Sequence, residues 1–547
     1  MFNKSLKSKV IPFAVVSSLA VGLFAGMNAP EEHAKAKTKE PEVKNVIFLI
    51  GDGMGVPYLT AHRYMKDNLN TKQIEKTTFD EYIVGLQTTY PDDHAQNITD
   101  SASAATAMSA GVKTYNNAIA VDVDKKEVKT VLEEAKAIGK STGLVATSEI
   151  THATPASFGA HDESRKNMDQ IADDYYDELI DGNHKVDVLL GGGLTNFQRK
   201  DRNLINEFKK DGYSYVTNKK DLLNDSNDQI LGLFADGGMP KMIDRTEDLP
   251  SLEEMTNAAI KRLNKDKDGF FLMVEGSQID WAGHDNDIVA AMSEMEDFDK
   301  ALKAALYFAK KDKHTLVVTT ADHSTGGFSM GARGEYNWFA EPIKSAKRTP
   351  DYMAEQIVKG EKVEDVLNKY SGLSLTAAEI KSVKDATAPV NGKMDITTID
   401  NAIEKIYDTR SFTGWTTGGH TGEEVPVIAY GPSSEKFAGL IDNTDQAKNI
   451  FKILDDYKKW QDRDVTPPNA PKLYAVSEKS TSVKGKTEAN ATVTAKVGTK
   501  IIGTATAKSN GAFEIKIAKQ KAGTKISVTA KDASQNESKA STVVVKK

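Results

Sequence analysis

Cysteine is absent from all 547 residues, so neither a disulfide framework nor a lipid-modified N-terminal cysteine can be built. An excess of basic charge is also missing. Lys and Arg number 71 against 78 Asp and Glu, for a formal net charge of −7, and no basic stretch is interleaved with aromatics. Nucleic-acid recognition is therefore not expected. Long hydrophobic runs are scarce. The one in the first forty residues, residues 10–26, is short for a membrane span. Aromatics make up only 7%, within a composition of 39% hydrophobic and 27% charged residues that is ordinary for a globular protein. The length alone suggests roughly three to four domains, although large α/β enzymes exceed that average as single units.

What is present begins with a processing segment. Lys4, Lys7 and Lys9 precede the apolar run, and Ala34-Lys35-Ala36 offers the small-x-small pattern of a signal-peptidase site. Residues 1–36 are thus expected to be a signal peptide, with an uncleaved N-terminal anchor as the alternative. Export without cysteine fits a cell that does not rely on disulfides, most simply a bacterium. The expected location is secreted or cell-wall associated.

From Lys44 onward, apolar runs alternate with amphipathic stretches. VIFLI (46–50), GLVAT (143–147), VDVLLGG (186–192), FFLMVE (270–275), TLVVTT (315–320) and VPVIAYG (425–431) are continuous rather than alternating, as strands covered on both faces are. TVLEEAKAIGK and MEDFDKALKAALYFAKK between them read as helices. This alternation predicts an α/β fold, a layered αβα unit with a largely parallel central sheet over residues 44–460. Residues 335–410 form a polar interval too long for a plain loop, and LTAAEIKSVKDA and ITTIDNAIEKIYD within it look helical. It reads as an insertion, a candidate cap or dimer contact. A Pro-rich linker at 461–470 precedes short alternating segments with turns at Asn510-Gly511 and Ala522-Gly523, which predict a small all-β sandwich over 471–547. From Lys472 onward 15 lysines face five acidic residues, a balance of +10, so the rest of the chain is strongly acidic.

The polar residues that carry chemistry follow the strands. Asp52 lies in GDGMG after the first run, and His152 and Thr154 lie just past GLVAT. Glu275 ends FFLMVE, with Asp280 and His284 close behind, and Asp322 and His323 follow TLVVTT. In a parallel sheet these positions share one carboxyl edge, where α/β proteins build their sites. Singly, an Asp after a strand is usually a helix cap and a lone His a structural hydrogen-bonder. Jointly they form a ligand set for zinc and magnesium. Ser101, in ITDSASAATAMSAG, opens a predicted helix of small residues, where free N–H groups and the helix dipole suit a phosphoryl group. From that segment alone the reading as a capping serine without chemistry would prevail. No nearby histidine suggests a Ser–His pair, so its activation would fall to a metal. Asn264 to Gly269 mimics the start of a calcium loop, but the apolar FFLMV that follows excludes one, and Gly191-Gly192-Gly193 reads as a turn after a strand.

In order, GDGMG, TDSASAATA, ATPASFGAHDESR, EGSQIDWAGH, TADHSTGG and GGHTGEEVP resemble the six motif blocks of alkaline phosphatase, over Lys44 to Lys459. The resemblance implies a secreted phosphomonoesterase that acts through a phosphoserine on Ser101, on small-molecule phosphate monoesters, as a homodimer. It implies one zinc on Asp280, His284 and His420, and a second on Asp52, Asp322 and His323 beside the Ser101 hydroxyl. Magnesium would share Asp52 and add Thr154 and Glu275. Arg165 would bind phosphate, with His152 and Trp281 beside it. Two positions depart from some members: His152 stands where an Asp often does, and Trp281 where a Lys or His can stand. A histidine is a poorer magnesium partner than a carboxylate, so the third metal is expected to be weakly held or different, zinc and cobalt being the alternatives.

Two other functions compete. A phosphodiesterase or sulfatase is disfavoured, because Arg165 suits a terminal phosphate and the formylglycine precursor of a sulfatase belongs to a different motif. A surface adhesin with structural metals is the non-enzymatic alternative. The C-terminal segment resembles bacterial immunoglobulin-like repeats, and its charge is compatible with a spacer or with contact to an anionic cell wall.

Overall fold

A computed structural model describes residues 42–389 and 392–547. The expected signal peptide lies outside them. The chain divides into a unit reaching to Asp464 and a second over Val465–Lys547.

Ten strands of the first unit share one sheet. They are β1 (Asn45–Gly51), β2 (Ile83–Thr88), β3 (Ser141–Glu149), β4 (Val188–Gly192), β5 (Ser214–Val216), β6 (Ile230–Leu233), β7 (Phe270–Gly276), β8 (Thr315–Thr320), β9 (Val425–Tyr430) and β10 (Gly439–Asp442). Their order across the sheet is β10-β2-β9-β8-β1-β7-β3-β4-β6-β5. Every neighbouring pair is parallel except those of β9, which runs against both β8 and β2. The largely parallel αβα sheet expected from the sequence is therefore present. The six predicted strands are there, while β2, β5, β6 and β10 escaped notice. They are three to six residues long, and all four lie at or next to a sheet edge.

Alternate residues explain the layering. Ile47, Leu49, Val145, Val274 and Val317 point into one core, shared with Met255, Leu263, Met295 and Phe298 of the helices Leu252–Leu263 and Ile288–Asp312. Phe48, Leu144, Met273 and Val318 point into the other, shared with Ala102, Leu132 and Ile450 of the opposite helical layer. Both faces of each central strand are dry, which is why their sequences do not alternate. The glycine triplet is not wholly a turn, contrary to the sequence expectation. Gly191 and Gly192 finish β4, where a Cβ on Gly192 would stand 2.0 Å from the carbonyl of Gly237, and only Gly193 adopts positive φ (95°).

The polar interval contains helices Glu341–Ser345, Pro350–Val358, Val363–Tyr370, Ala377–Ala386 and Ile396–Ser411. Met353, Ile357, Leu367, Ile403 and Tyr407 bury one face of this layer in the same core as Ile288–Asp312. At the calcium-loop look-alike, Gly269 (φ 84°) turns directly into β7, and Glu275 stands at the opposite end of that strand.

The C-terminal unit forms sheets of three and four strands. Val483, Val493, Phe513, Ile515, Ile526 and Val528 alternate inward to make its own core. The Asn510-Gly511 turn leads into strand Ala512–Lys516, with Gly511 at φ 78°.

Candidate metal centre and phosphate site

The carboxyl edge of the sheet collects the polar residues. Asp52 leaves β1, Glu275 lies at the end of β7, and Asp322 and His323 leave β8. Asp280 and His284 are one turn apart on helix Gln278–Asp285, which follows β7. His420 reaches the same edge because β9 is antiparallel, so the segment before it starts where the other strands end. There His420-Thr421 pairs with Ser324-Thr325. Gly53 permits the crowding. At φ 70° its N–H donates to Asp322 Oδ1 at 3.0 Å, and a Cβ would stand 2.8 Å from the Asp280 Cα.

Three groups of donors form, each with its candidate ligand atoms within 4.8 Å of one another: Asp280, His284 and His420; Asp52, Asp322 and His323; and Asp52, His152 and Glu275. In the first, Nδ1 of His284 donates to the Gly418 carbonyl (2.7 Å) and Nδ1 of His420 to that of Thr99 (2.8 Å). These partners assign the proton to Nδ1 and turn two Nε2 lone pairs toward each other at 3.0 Å. Asp280 lies 3.3 Å from His284 Nε2 and 3.6 Å from His420 Nε2. In the second group, His323 Nε2 stands 3.2 Å from Asp322 Oδ2 and 3.5 Å from Asp52 Oδ1. The rings of His323 and His420 stack with centroids 3.6 Å apart, which joins the two groups. In the third, the Thr154 hydroxyl stands beside Glu275, whose other oxygen accepts from Ser277 at 2.7 Å.

Burial dominates the electrostatics. It raises Asp52 well above the carboxylate range, with the charges of Asp322, Asp280 and Glu275 adding to it. Burial likewise pushes Glu275 up to about 7 and Asp322 up to about 6, the latter helped by Asp280. It holds His323 well below the usual imidazole range, with His420 acting in the same direction. Both oxygens of Asp52, Oδ2 of Asp322, Oε1 of Glu275, Oγ1 of Thr154 and Nδ1 of His152 are buried with no hydrogen-bond partner. So many acceptors left unpaired in a dry pocket are costly. Cations bound among them remove that cost, and the donor set fits divalent metals.

Ser101 is the first residue of helix Ser101–Ala110, and the cap is Asp100, whose Oδ1 accepts from the Ser103 N–H at 3.0 Å. The capping explanation for Ser101 therefore does not hold. Its Oγ lies 3.2 Å from His323 Nε2, a residue 222 positions away. A histidine does stand near Ser101, then, through the fold alone.

Asp100 has a second task that sequence reasoning missed. Its Oδ2 accepts from Arg165 Nη1 at 3.0 Å, while Arg165 Nη2 donates to His152 Nε2 at 3.0 Å. Burial, reinforced by the Arg165 charge, lowers His152 to about 3, so the ring is a neutral acceptor. Trp281 meets His152 edge-on at 5.6 Å. Other supports also went unread: Thr325 donates to Asp280, and Ser148 donates to Glu275. Thr325 and Ser277 lie within the motif blocks, and that position was their one signal. A groove of about 550 Å³, lined by Ala95, Ile98, Asp100, His284 and His420, opens beside the first donor group.

The model of the alkaline phosphatase family matches residues 43–455, and that of a bacterial Ig domain matches 467–547. The chain belongs to the alkaline phosphatase family. Alkaline phosphatase 3 of Bacillus subtilis is 67% identical over 84% of this chain and its own entire length. A cold-active alkaline phosphatase from the psychrophile Shewanella sp. has the same fold, with TM-score 0.70 and 40% identity over 75% of this chain and 99% of its own. A His-to-Glu variant of the alkaline phosphatase from TAB5, solved with magnesium bound, superimposes with TM-score 0.56 at 33% identity, covering 76% of this chain and 99% of its own. The protein is thus an alkaline phosphatase, a phosphoric monoester hydrolase, carrying a C-terminal Ig-like domain.

Proposed function

We propose that this alkaline phosphatase is an exported enzyme that hydrolyses small-molecule phosphate monoesters through a phosphoserine on Ser101. The observation that carries this reading is the convergence of Ser101 Oγ, His323 Nε2 and the unpartnered oxygens of Asp52 and Asp322 at one point. Asp280, His284 and His420 would hold one zinc, and Asp52, Asp322 and His323 the other. Asp52, Thr154 and Glu275 would hold a third ion. When bound, the ions neutralise the phosphate dianion, lower the pKa of the serine hydroxyl and stabilise the leaving oxygen.

The chain's own residues do the rest. Ser101 Oγ attacks phosphorus, the bond to the ester oxygen breaks, and the alcohol leaves with a proton. Water then attacks the phosphoserine, restoring Ser101 and releasing inorganic phosphate. Arg165, oriented by Asp100 and His152, grips two non-bridging oxygens with its planar fork. That grip needs free oxygens and disfavours a diester. Trp281 packs against His152 and keeps it in place.

The third ion is where this enzyme differs. His152 Nε2 is already used by Arg165, and its unpartnered Nδ1 replaces a carboxylate oxygen near Asp52 and Glu275. Magnesium would be held weakly, or a borderline metal would take its place. The relative from TAB5 supports this reading, since its His-to-Glu variant was solved with magnesium bound. Metal-resolved kinetics of the wild type and Ser101→Ala on p-nitrophenyl phosphate and its bis-ester test the whole scheme. Faster diester turnover, or undiminished hydrolysis by Ser101→Ala, would overturn it.

Among the described residues no helix is long and apolar enough to cross a membrane. The predicted signal peptide and the basic Ig-like domain support a secreted or wall-associated enzyme, and the family resemblance supports a homodimer. Salt-sensitive pull-down of the Ig-like domain by cell walls tests the wall contact, and absence of binding removes it.

A further inference from the structure

A second group of acids, outside the catalytic scheme, lies behind His284. Asp285 ends the helix that carries Asp280 and His284, and Asp287 caps the next helix, Ile288–Asp312. The other members come from the insertion. Asp351 lies in the first turn of Pro350–Val358, while Asp400 and Glu404 stand one turn apart on Ile396–Ser411. Folding brings these three segments together. Helix Pro350–Val358 packs on Ile396–Ser411, and both Gln278–Asp285 and Ile396–Ser411 pack on Ile288–Asp312. Asp400 feels the charges of Asp351, Asp285 and Asp287. Lys241 is the cation whose charge reaches Asp285, Asp287 and Asp351.

The inner part of the cluster is dry and incompletely bonded, while Asp285 and Asp351 are half-buried. Asp287, Asp400 and Glu404 are 2%, 2% and 4% exposed. Asp287 Oδ1 accepts from the N–H groups of Val289 (2.7 Å) and Ala290 (3.0 Å), but its Oδ2 has no partner. Neither do Asp400 Oδ1 and Glu404 Oε1. The buried carboxyl groups of Asp287, Asp400 and Glu404, each with an unpartnered oxygen, cannot all remain ionised in such a place without further positive charge. Protons or a cation must supply it.

We propose that Asp285, Asp287, Asp351, Asp400 and Glu404 bind a hard divalent cation, calcium, that ties the insertion to the helix carrying Asp280 and His284. The donor set is all oxygen and contains no imidazole, which disfavours zinc. Its number of carboxylates, drawn from three segments, suits the six to eight flexible oxygen ligands of calcium. Magnesium prefers one or two carboxylates and retains its waters. Burial, followed by the neighbouring carboxylates, raises Asp400 to about 9, so the ion would displace protons on binding.

The test uses the full-length enzyme already loaded with its catalytic metals. Calcium is titrated by calorimetry, and thermal melting is followed with calcium or magnesium, for wild type, Asp400→Asn/Glu404→Gln and Asp351→Asn. Wild type should bind one further calcium per chain, with a Tm rise of about 3–5 °C at a hundredfold excess over Kd. The double variant should lose both signals and melt no lower than wild type without calcium, because its carboxylate repulsion is relieved. Asp351→Asn, on a different helix, should weaken binding tenfold or more. Absence of calcium binding in wild type, an unchanged response in the double variant, or an equal Tm rise with magnesium would overturn the proposal.

Discussion

Arg165 is held between two acceptors of different kinds: its Nη1 on the carboxylate of Asp100 and its Nη2 on the neutral imidazole of His152, each at 3.0 Å. The guanidinium is thus oriented by one charged and one neutral group. Its N–H groups not engaged by either are free to meet phosphate.

Replacing His152 with aspartate should alter two properties together. A carboxylate beside Asp52 and Glu275 should raise retention of magnesium about ten- to hundredfold, measured by metal analysis after exhaustive dialysis. It would also pair with Arg165 and blunt its charge, so the Ki for inorganic phosphate should rise. Full stoichiometric magnesium in the dialysed wild type would refute the weak third site.

Arg165→Ala should raise KM for a monoester and Ki for phosphate by roughly 10- to 100-fold, as expected from losing about 1.5–3 kcal/mol of charge-assisted hydrogen bonding. Arg165→Lys should recover little of this, because an ammonium lacks the planar fork. Steady-state kinetics on p-nitrophenyl phosphate decide the matter.

Ser101→Ala should lower kcat by at least roughly 10³-fold without loss of bound zinc. Acid quenching with radiolabelled phosphate should trap a phosphoprotein in wild type and none in the variant. A phosphoprotein of undiminished yield in the variant would move the nucleophile elsewhere.

His161 gives a pH prediction away from the metals. Burial opposes its charge, but Glu133 and Glu178 outweigh burial and push the imidazole up to about 9. Its Nδ1 faces Glu178 at 3.3 Å, and its Nε2 reaches the Val128 carbonyl at 3.2 Å. The folded pKa lies above the unfolded value near 6.5. The stabilisation is therefore complete below pH 6.5 and is lost as pH rises toward 9, by at most ~3 kcal/mol. Denaturant unfolding of wild type should weaken over that window, and His161→Gln should be less stable at pH 6 with a flatter profile above it.

The central strands were legible because β1, β3, β4, β7, β8 and β9 are buried on both faces and must be apolar throughout. The partly exposed β2, β5 and β10 carry no such constraint, and β6, though buried throughout, is only four residues long; all four went unseen. The Asp100–Arg165 grip was illegible for another reason. A residue that caps a helix and one that holds an arginine look alike in sequence, and Asp100 does both.

The sequence by itself determined the family, the αβα architecture and the residues gathered after the strands, because strand periodicity and ordered motifs are local properties. Only the tertiary structure decided that β9 runs backward and so delivers His420 to the carboxyl edge. Only it placed His323 against Ser101 and assembled acids from three segments behind His284. Those relationships join residues scores to hundreds of positions apart, and burial, which sets their charge and leaves their oxygens unpartnered, exists only once the chain has folded.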